Sequence, residues 1–173
     1  PRDNVIIIIV ESLSMEYCGM GNGGNRYTPF LDSLAERALF FPRHFANGRR
    51  SAEGLVSILA GLTSLMDPWF TESPYCDHPL LGLGRALSPG GYTSSFLHGA
   101  PNGTFRFDVF AGIAGMQNYF GLKEYPNPAD NDGSWGIFDE PYLQYLIGVV
   151  SKQKQPFAAV AFTLSSHNPY IIP

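Results

Sequence analysis

Long apolar runs are missing from this chain. The longest aliphatic stretch, VIIIIV at residues 5–10, is six residues long, and a membrane-crossing helix needs about 20, so no transmembrane helix is expected within it. A secretory leader is missing too, and the first residue is Pro rather than Met. That reads as a processed, proteolysed or engineered start, with anything upstream out of view. A basic surplus is also absent: 11 Lys and Arg stand against 15 Asp and Glu, net charge −4, which argues against nucleic acid as a partner. Cysteine is scarce. Cys18 and Cys76 lie far apart and form no C-x-x-C pair, so a disulfide and two buried thiols both stay open. The chain has no internal repeat, low-complexity tract or charge run, and it lacks G-x-x-x-x-G-K-[ST], G-x-S-x-G and H-E-x-x-H.

What is present suits one globular domain with a sizeable core: 173 residues, 45% hydrophobic and 15% charged. NVIIIIVES reads as a strand buried on both faces, because its β-branched run is continuous rather than alternating. YTPFLDSLAERALFF reads as a helix with Thr28 as N-cap, Pro29 at the first helical position, and Phe30, Leu31, Leu34, Ala35 and Ala38 on one stripe. A short strand is expected around residues 39–45, then a helix opened by Ser51. The Pro- and aromatic-rich loop TSLMDPWFTESPYCDHP leads to a helix near residues 80–87, and GYTSSFLHGA to a strand. FRFDVFAGIAGM and FDEPYLQYLIGVVSKQ read as helices, the second with Pro141 in its first turn. PFAAVAFTLSSHNPY supplies a last buried strand. Strands alternating with helices predict an α/β fold with a mostly parallel sheet and helices on both faces.

Ligands in such sheets bind beyond the carboxyl ends of the strands. Glu11, His98 and His167 each follow a predicted strand. Each has an ordinary alternative: a solvated strand end for Glu11, hydrogen-bonded loop residues for the histidines. Ser51, in FANGRRSAEGLVSILAGL, has one as well, since Ser is a favoured N-cap. The coincidence of Glu, Ser and two His on one sheet edge favours chemistry. A helix N-terminus behind Ser51 attracts an anion such as phosphate. A hard divalent cation held by Glu11 could bind the Ser51 oxygen and make it an alkoxide nucleophile. Arg49 and Arg50 could steady a phosphate or be simply solvated.

Six segments occur in order: NVIIIIVES, TPFLDSLAERALFF, GRRSAEGLVSILAGL, FLHGAPNGTFRFDVFAGIAGMQNYFG, DGSWGIFDEPYL and QPFAAVAFTLSSHNPY. Together they resemble the sulfatase-like lipoteichoic acid synthase and phosphoglycerol transferase family of the alkaline phosphatase superfamily. The resemblance implies that residues 1–173 are the N-terminal portion of a single, truncated sulfatase-like catalytic domain. It implies Glu11 as a metal-binding carboxylate, Ser51 as nucleophile and metal ligand, and His98 and His167 as the lining of a phosphoglycerol pocket. The family's pocket Trp and Arg do not align cleanly with TFRFD, which leaves Arg106 or Asp108 as candidates for substrate binding.

By the same resemblance the cofactor is a divalent metal, manganese first, with magnesium, calcium or zinc as alternatives. The donor is a phospholipid head group and the acceptor a glycan or polyglycerol phosphate. The enzyme works at the extracytoplasmic face of a bacterial membrane, tethered by upstream transmembrane helices. Two departures accompany the likeness. SAEGL lacks the Pro and Arg of the C/S-x-P-x-R context that yields formylglycine, which argues against sulfate-ester hydrolysis by that route. The family's Asp-His metal pair falls after residue 173, so the fragment alone is expected to hold metal poorly. Alternatives are a phosphodiesterase, phosphatase or sulfuric-ester-type hydrolase of the superfamily, and a non-catalytic domain that kept the fold.

Overall fold

The structure is a computed structural model that describes residues 2–25, 27–65 and 67–173. Two compact units form: Pro1–Glu11 with Asn47–Pro173, and Ser12–Ala46.

The larger unit is built on a four-stranded sheet in the order β1-β4-β2-β3. Its strands are β1 (Val5–Ile9), β2 (Thr93–His98), β3 (Asn118–Phe120) and β4 (Phe157–Phe162), and every pairing is parallel. Parallel neighbours need crossovers, and the helices supply them: α2 (Ser51–Ala60), α3 (Leu83–Leu87), α4 (Phe107–Ile113) and α5 (Asp139–Val150). The strand period of two sorts the core into two layers. Phe96, Val160 and Phe162 face α2 and α4, packing with Leu55, Val56, Leu59 and Phe110. Leu97, Ala159 and Ala161 face α5, packing with Tyr142, Leu146 and Val150. The helices therefore cover both faces.

Gly61 stops α2 in the left-handed conformation, at φ 66°, where its amide donates to the Ser57 carbonyl. A second glycine matters more for the site. Gly136 has φ 156°, and a Cβ there would meet the Gly99 carbonyl oxygen at 2.2 Å. Only glycine lets the Trp135 loop lie against the backbone just beyond β2.

Several expectations need correction. β4, not β1, is the strand buried on both faces: all six of its residues are buried. β1 is an edge strand, with Ile6 48% and Ile8 50% exposed. An unbroken β-branched run signals strand but does not say which position in the sheet it takes. Residues 39–45 form no strand, because Pro42 interrupts the run and removes a ladder donor. The helix expected near 80–87 starts only after Gly82. β3 escaped notice because three residues carry too little periodicity to read.

In the smaller unit, α1 (Pro29–Ala35) has Thr28 and Pro29 at the expected positions, although Thr28 makes no side-chain cap. The predicted apolar stripe is not a buried face there: Phe30 is 71% and Leu34 44% exposed.

Candidate active site

The site is assembled at the carboxyl edge of the sheet. β1 and β4 leave together. The Thr163 amide donates to the Ile9 carbonyl at 3.0 Å, and the Glu11 amide donates to Thr163 Oγ1 at 3.1 Å. That pairing fixes Glu11 two residues beyond β1, with only 8% of its surface exposed. Across from it, Ser51 Oγ donates to Glu11 Oε2 at 2.7 Å, over a separation of 40 residues.

Ser51 can reach Glu11 because it does not cap its helix. The N-cap is Arg50, and Ser51 is the first helical residue. The Glu53 carboxylate does the capping, accepting from the Arg49 amide at 2.7 Å and the Arg50 amide at 3.2 Å. Those amides, Arg49's above all, hold the Glu53 carboxyl below its usual range. The expectation that Ser51 is an N-cap is therefore wrong, and the reason is local: S-x-E offered two capping groups, and the carboxylate took the role. The serine hydroxyl is left for Glu11.

His98 is the last residue of β2 and is 1% exposed. Its ring stacks on Phe162 at 5.2 Å and lies 5.2 Å from Phe107. Nδ1 is buried without a hydrogen-bond partner. Burial in this aromatic setting drives the imidazole down to about 3, so the ring is neutral at physiological pH. Tyr142 of α5 sits directly beneath. Its hydroxyl donates to the Leu97 carbonyl at 2.7 Å and accepts from the Phe162 amide at 3.1 Å, bridging β2 and β4 where they leave the sheet.

His167 is held by the exit of β4. Asp139 Oδ1 accepts from the Leu164 and Ser165 amides at 2.7 and 3.0 Å, while Ser165 Oγ accepts from the Asp139 amide at 2.8 Å. From that clasp a turn brings the His167 amide to the Leu164 carbonyl at 2.9 Å. Nδ1 of His167 lies 2.8 Å from the Asn168 carbonyl oxygen. A carbonyl only accepts, so Nδ1 carries the hydrogen and Nε2 of the neutral ring is the acceptor. The Trp135 indole donates to the same carbonyl at 2.7 Å, and its ring lies 3.8 Å from the His167 ring.

These groups line two adjoining cavities. An inner one of about 20 Å³ is bounded by Glu11, Ser51, His98, Phe105, Trp135 and His167, among others. An outer one of about 280 Å³ shares Glu11, Ser51, Phe105 and His167 and adds Arg49, Arg50 and Trp69. The Arg50 guanidinium lies 5.4 Å over the Trp69 ring.

Arg106 lines neither cavity. Its Nη2 donates to Asp77 at 2.7 Å and its Nη1 to the Thr71 carbonyl at 3.2 Å. Asp108 also stays outside, accepting from the Val109 amide at the start of α4. Sequence reasoning missed Trp69, Phe105 and Trp135 as lining residues. The available signals were the glycine-flanked SWG turn and the aromatic density of the loop before α3.

A metal has a partial donor set here. Two hard oxygens, the Glu11 carboxylate and Ser51 Oγ, sit 2.7 Å apart as hydrogen-bond partners, and both are of the type a hard cation takes. Among the described residues no group of three or more His, Cys, Asp or Glu could hold a metal ion. Glu11 and Ser51 fit two positions of such a shell.

His98 also makes a pH prediction. In the unfolded chain its imidazole titrates near 6.5, well above the folded value of about 3. The unfolded state therefore takes up the proton first. The stability this burial contributes is complete above pH 6.5 and is lost as pH falls toward 3, by at most about 1.4 kcal/mol per pH unit. Urea midpoints measured from pH 7 to 4.5 should fall, and more shallowly in His98→Gln. An identical slope in the variant contradicts the assignment.

The sulfatase family profile matches residues 3–172. A lipoteichoic acid synthase of Staphylococcus saprophyticus is 25% identical over 192 residues, covering 99% of this chain and 27% of that protein. Among solved structures, a protein of the alkaline phosphatase superfamily from Vibrio parahaemolyticus superimposes with a TM-score of 0.87 at 28% identity, over 99% of this chain and 42% of that one. The lipoteichoic acid synthase LtaP of Listeria monocytogenes superimposes equally well, TM-score 0.87, at 22% identity over 99% and 42%. That last likeness speaks for the fold alone. The chain thus spans about a quarter of the length of the curated relative. With the family profile matched almost end to end, on the fold of the alkaline phosphatase superfamily, the chain belongs to the sulfatase family.

Proposed function

We propose that the whole protein carrying this chain is a metal-dependent phosphoglycerol transferase that works through a covalent seryl intermediate. In the first step Ser51 Oγ attacks the phosphorus of a phosphatidylglycerol-like lipid. The Oγ–P bond forms, the P–O bond to diacylglycerol breaks, and the serine proton ends on the diacylglycerol oxygen. In the second, a hydroxyl of a glycan or polyglycerol phosphate attacks the same phosphorus, Oγ–P breaks, and Ser51 regains a proton. The reaction is placed at the extracytoplasmic face of a bacterial membrane. Among the described residues no helix is long and apolar enough to cross one; a tether in upstream sequence is part of the same proposal.

The observation that carries this reading is the hydrogen bond from Ser51 to Glu11, 2.7 Å long and set between two cavities at the carboxyl edge of a parallel sheet. The similarity to lipoteichoic acid synthases supports transfer as the chemistry. The Glu11 carboxylate orients the hydroxyl. Neutral His98 offers one donor to a phosphate or polyol oxygen and one acceptor to a polyol hydroxyl, and with Nδ1 carrying the hydrogen His167 Nε2 accepts from a polyol hydroxyl. A divalent cation, manganese in the first instance, would be held by Glu11 and Ser51 and would lower the hydroxyl pKa. The lack of Pro and Arg in SAEGL argues against a formylglycine sulfatase.

The test is product analysis. The full-length protein, supplied with manganese, phosphatidylglycerol vesicles and a glycan acceptor, should release diacylglycerol and place glycerol phosphate on the acceptor. Free glycerol phosphate as the main product would make it a hydrolase instead. Replacing His167 by Ala, or the buried His98 by Gln, which fills more of its space, should slow transfer while leaving the fold and metal content nearly unchanged; loss of folding in both variants would assign them structural roles.

A further inference from the structure

Phe105 and Arg106 are consecutive non-glycine residues in the left-handed region, at φ 49°, ψ 23° and φ 56°, ψ 28°. An L-residue sits there at a cost, and two in succession persist only where surrounding contacts over-determine them. The contacts are visible on both sides. Arg106 reaches Asp77 with one nitrogen and the carbonyl of fully buried Thr71 with the other. Phe105 turns the opposite way, 5.1 Å edge-on to Trp69 and 6.3 Å in a stack with Trp135. Of the four residues common to the inner and outer cavities, Phe105 alone has no polar side chain. It contributes shape.

We propose that Arg106 and Asp77 form a positioning clamp: by anchoring the strained 105–106 turn they hold Phe105 as the partition between the two cavities, and so limit the size of the alcohol carried by the phosphorus next to Ser51. The inference rests on the transferase reading above. The inner cavity, about 20 Å³, has room for little more than one water, so the head-group alcohol is left to the outer cavity, about 280 Å³, just below the roughly 300–1,000 Å³ of pockets for drug-sized ligands, which suits a short polyol better than a ring. The clamp steers more than it stabilises. Its side chains are 40% and 68% exposed, so the Asp77 contact is weakened by solvent. The charge-assisted bond to the Thr71 carbonyl adds direction. Selectivity should therefore change several-fold, not by orders of magnitude.

The experiment uses the full-length protein with vesicles containing phosphatidylglycerol or phosphatidylinositol, which share a diacylglycerol leaving group and differ in the size of the head-group alcohol. The reading is the ratio of kcat/KM for diacylglycerol release from the two lipids. The wild type should favour phosphatidylglycerol. Arg106→Gln should raise the relative use of phosphatidylinositol about fivefold and Asp77→Asn about twofold, effects sized for a partly exposed charged contact. The double variant should do no more than Arg106→Gln, because the two residues act as one unit. Arg106→Lys, which keeps a cation within reach of Asp77, should restore most of the wild-type ratio. Equal losses on both lipids with an unchanged ratio would overturn the clamp, and so would additive effects. If Arg106→Gln does not fold, the surface change Asp77→Asn decides alone. A wild type that forms no covalent Ser51 intermediate defeats the transferase reading and this inference with it; an intermediate with no change in selectivity defeats this inference only.

Discussion

Ser51→Ala should abolish turnover of the full-length enzyme, a loss of at least about 10⁴-fold of the kind seen when a nucleophile is removed, while costing only about 1 kcal/mol of stability. The small cost follows from what the hydroxyl does. It makes one part-buried hydrogen bond, to Glu11, and such bonds contribute about 1 kcal/mol net. It caps nothing, since Glu53 does that, so the helix start should survive. No neighbour takes over. Ser57 lies six residues on, about 9 Å along the axis, and its Oγ accepts from Asn47 at 2.9 Å. Activity and urea-denaturation measurements on the same variant check the pair of effects. Substantial residual turnover, or a stability loss of several kcal/mol, would mean Ser51 is structural.

Tyr142→Phe should be the most destabilising single-atom change near the site. The phenol bridges the Leu97 carbonyl and the Phe162 amide at a position only 2% exposed, and burial pushes its pKa well up, so it stays neutral and keeps its proton. Removing the oxygen leaves a donor and an acceptor buried without partners. At about 1–3 kcal/mol for each, the expected loss is about 2–4 kcal/mol, a fall in Tm of roughly 5–15 °C for a chain of this size. Because Leu97 precedes His98 and Phe162 stacks on it, transfer should slow as well. A melting curve within a degree or two of the wild type would show that water or a relaxed backbone replaces the phenol.

The sequence carried much of this arrangement, for definable reasons. Glu11, His98 and His167 could be placed at one edge because each follows a run whose composition declares a strand, and parallel strands expose their carboxyl ends together. Ser51 was legible as a helix start, but its freedom from capping was not, since that depends on Glu53 reaching back to the Arg49 and Arg50 amides. The position of β1 was misread because an aliphatic run records no partners, and its pairing with β4 spans about 150 residues. Arg106 became a substrate-binding candidate through the resemblance, whose pocket Trp and Arg do not align cleanly with TFRFD. The left-handed turn at residues 105–106 brings Phe105 to the cavities and turns the arginine to Asp77. Backbone conformation of that kind leaves almost no trace in residue type.

The central claim is that Ser51 Oγ becomes covalently bonded to phosphorus during turnover. The most direct measurement is to incubate the full-length protein with phosphatidylglycerol labelled in its head-group glycerol, quench it in acid, digest it and map the label by mass spectrometry. The account predicts glycerol phosphate on the peptide containing Ser51, appearing before acceptor is added and discharged once it is. Label on another residue, or rapid wild-type turnover with no label on any residue under the same quench, would contradict it.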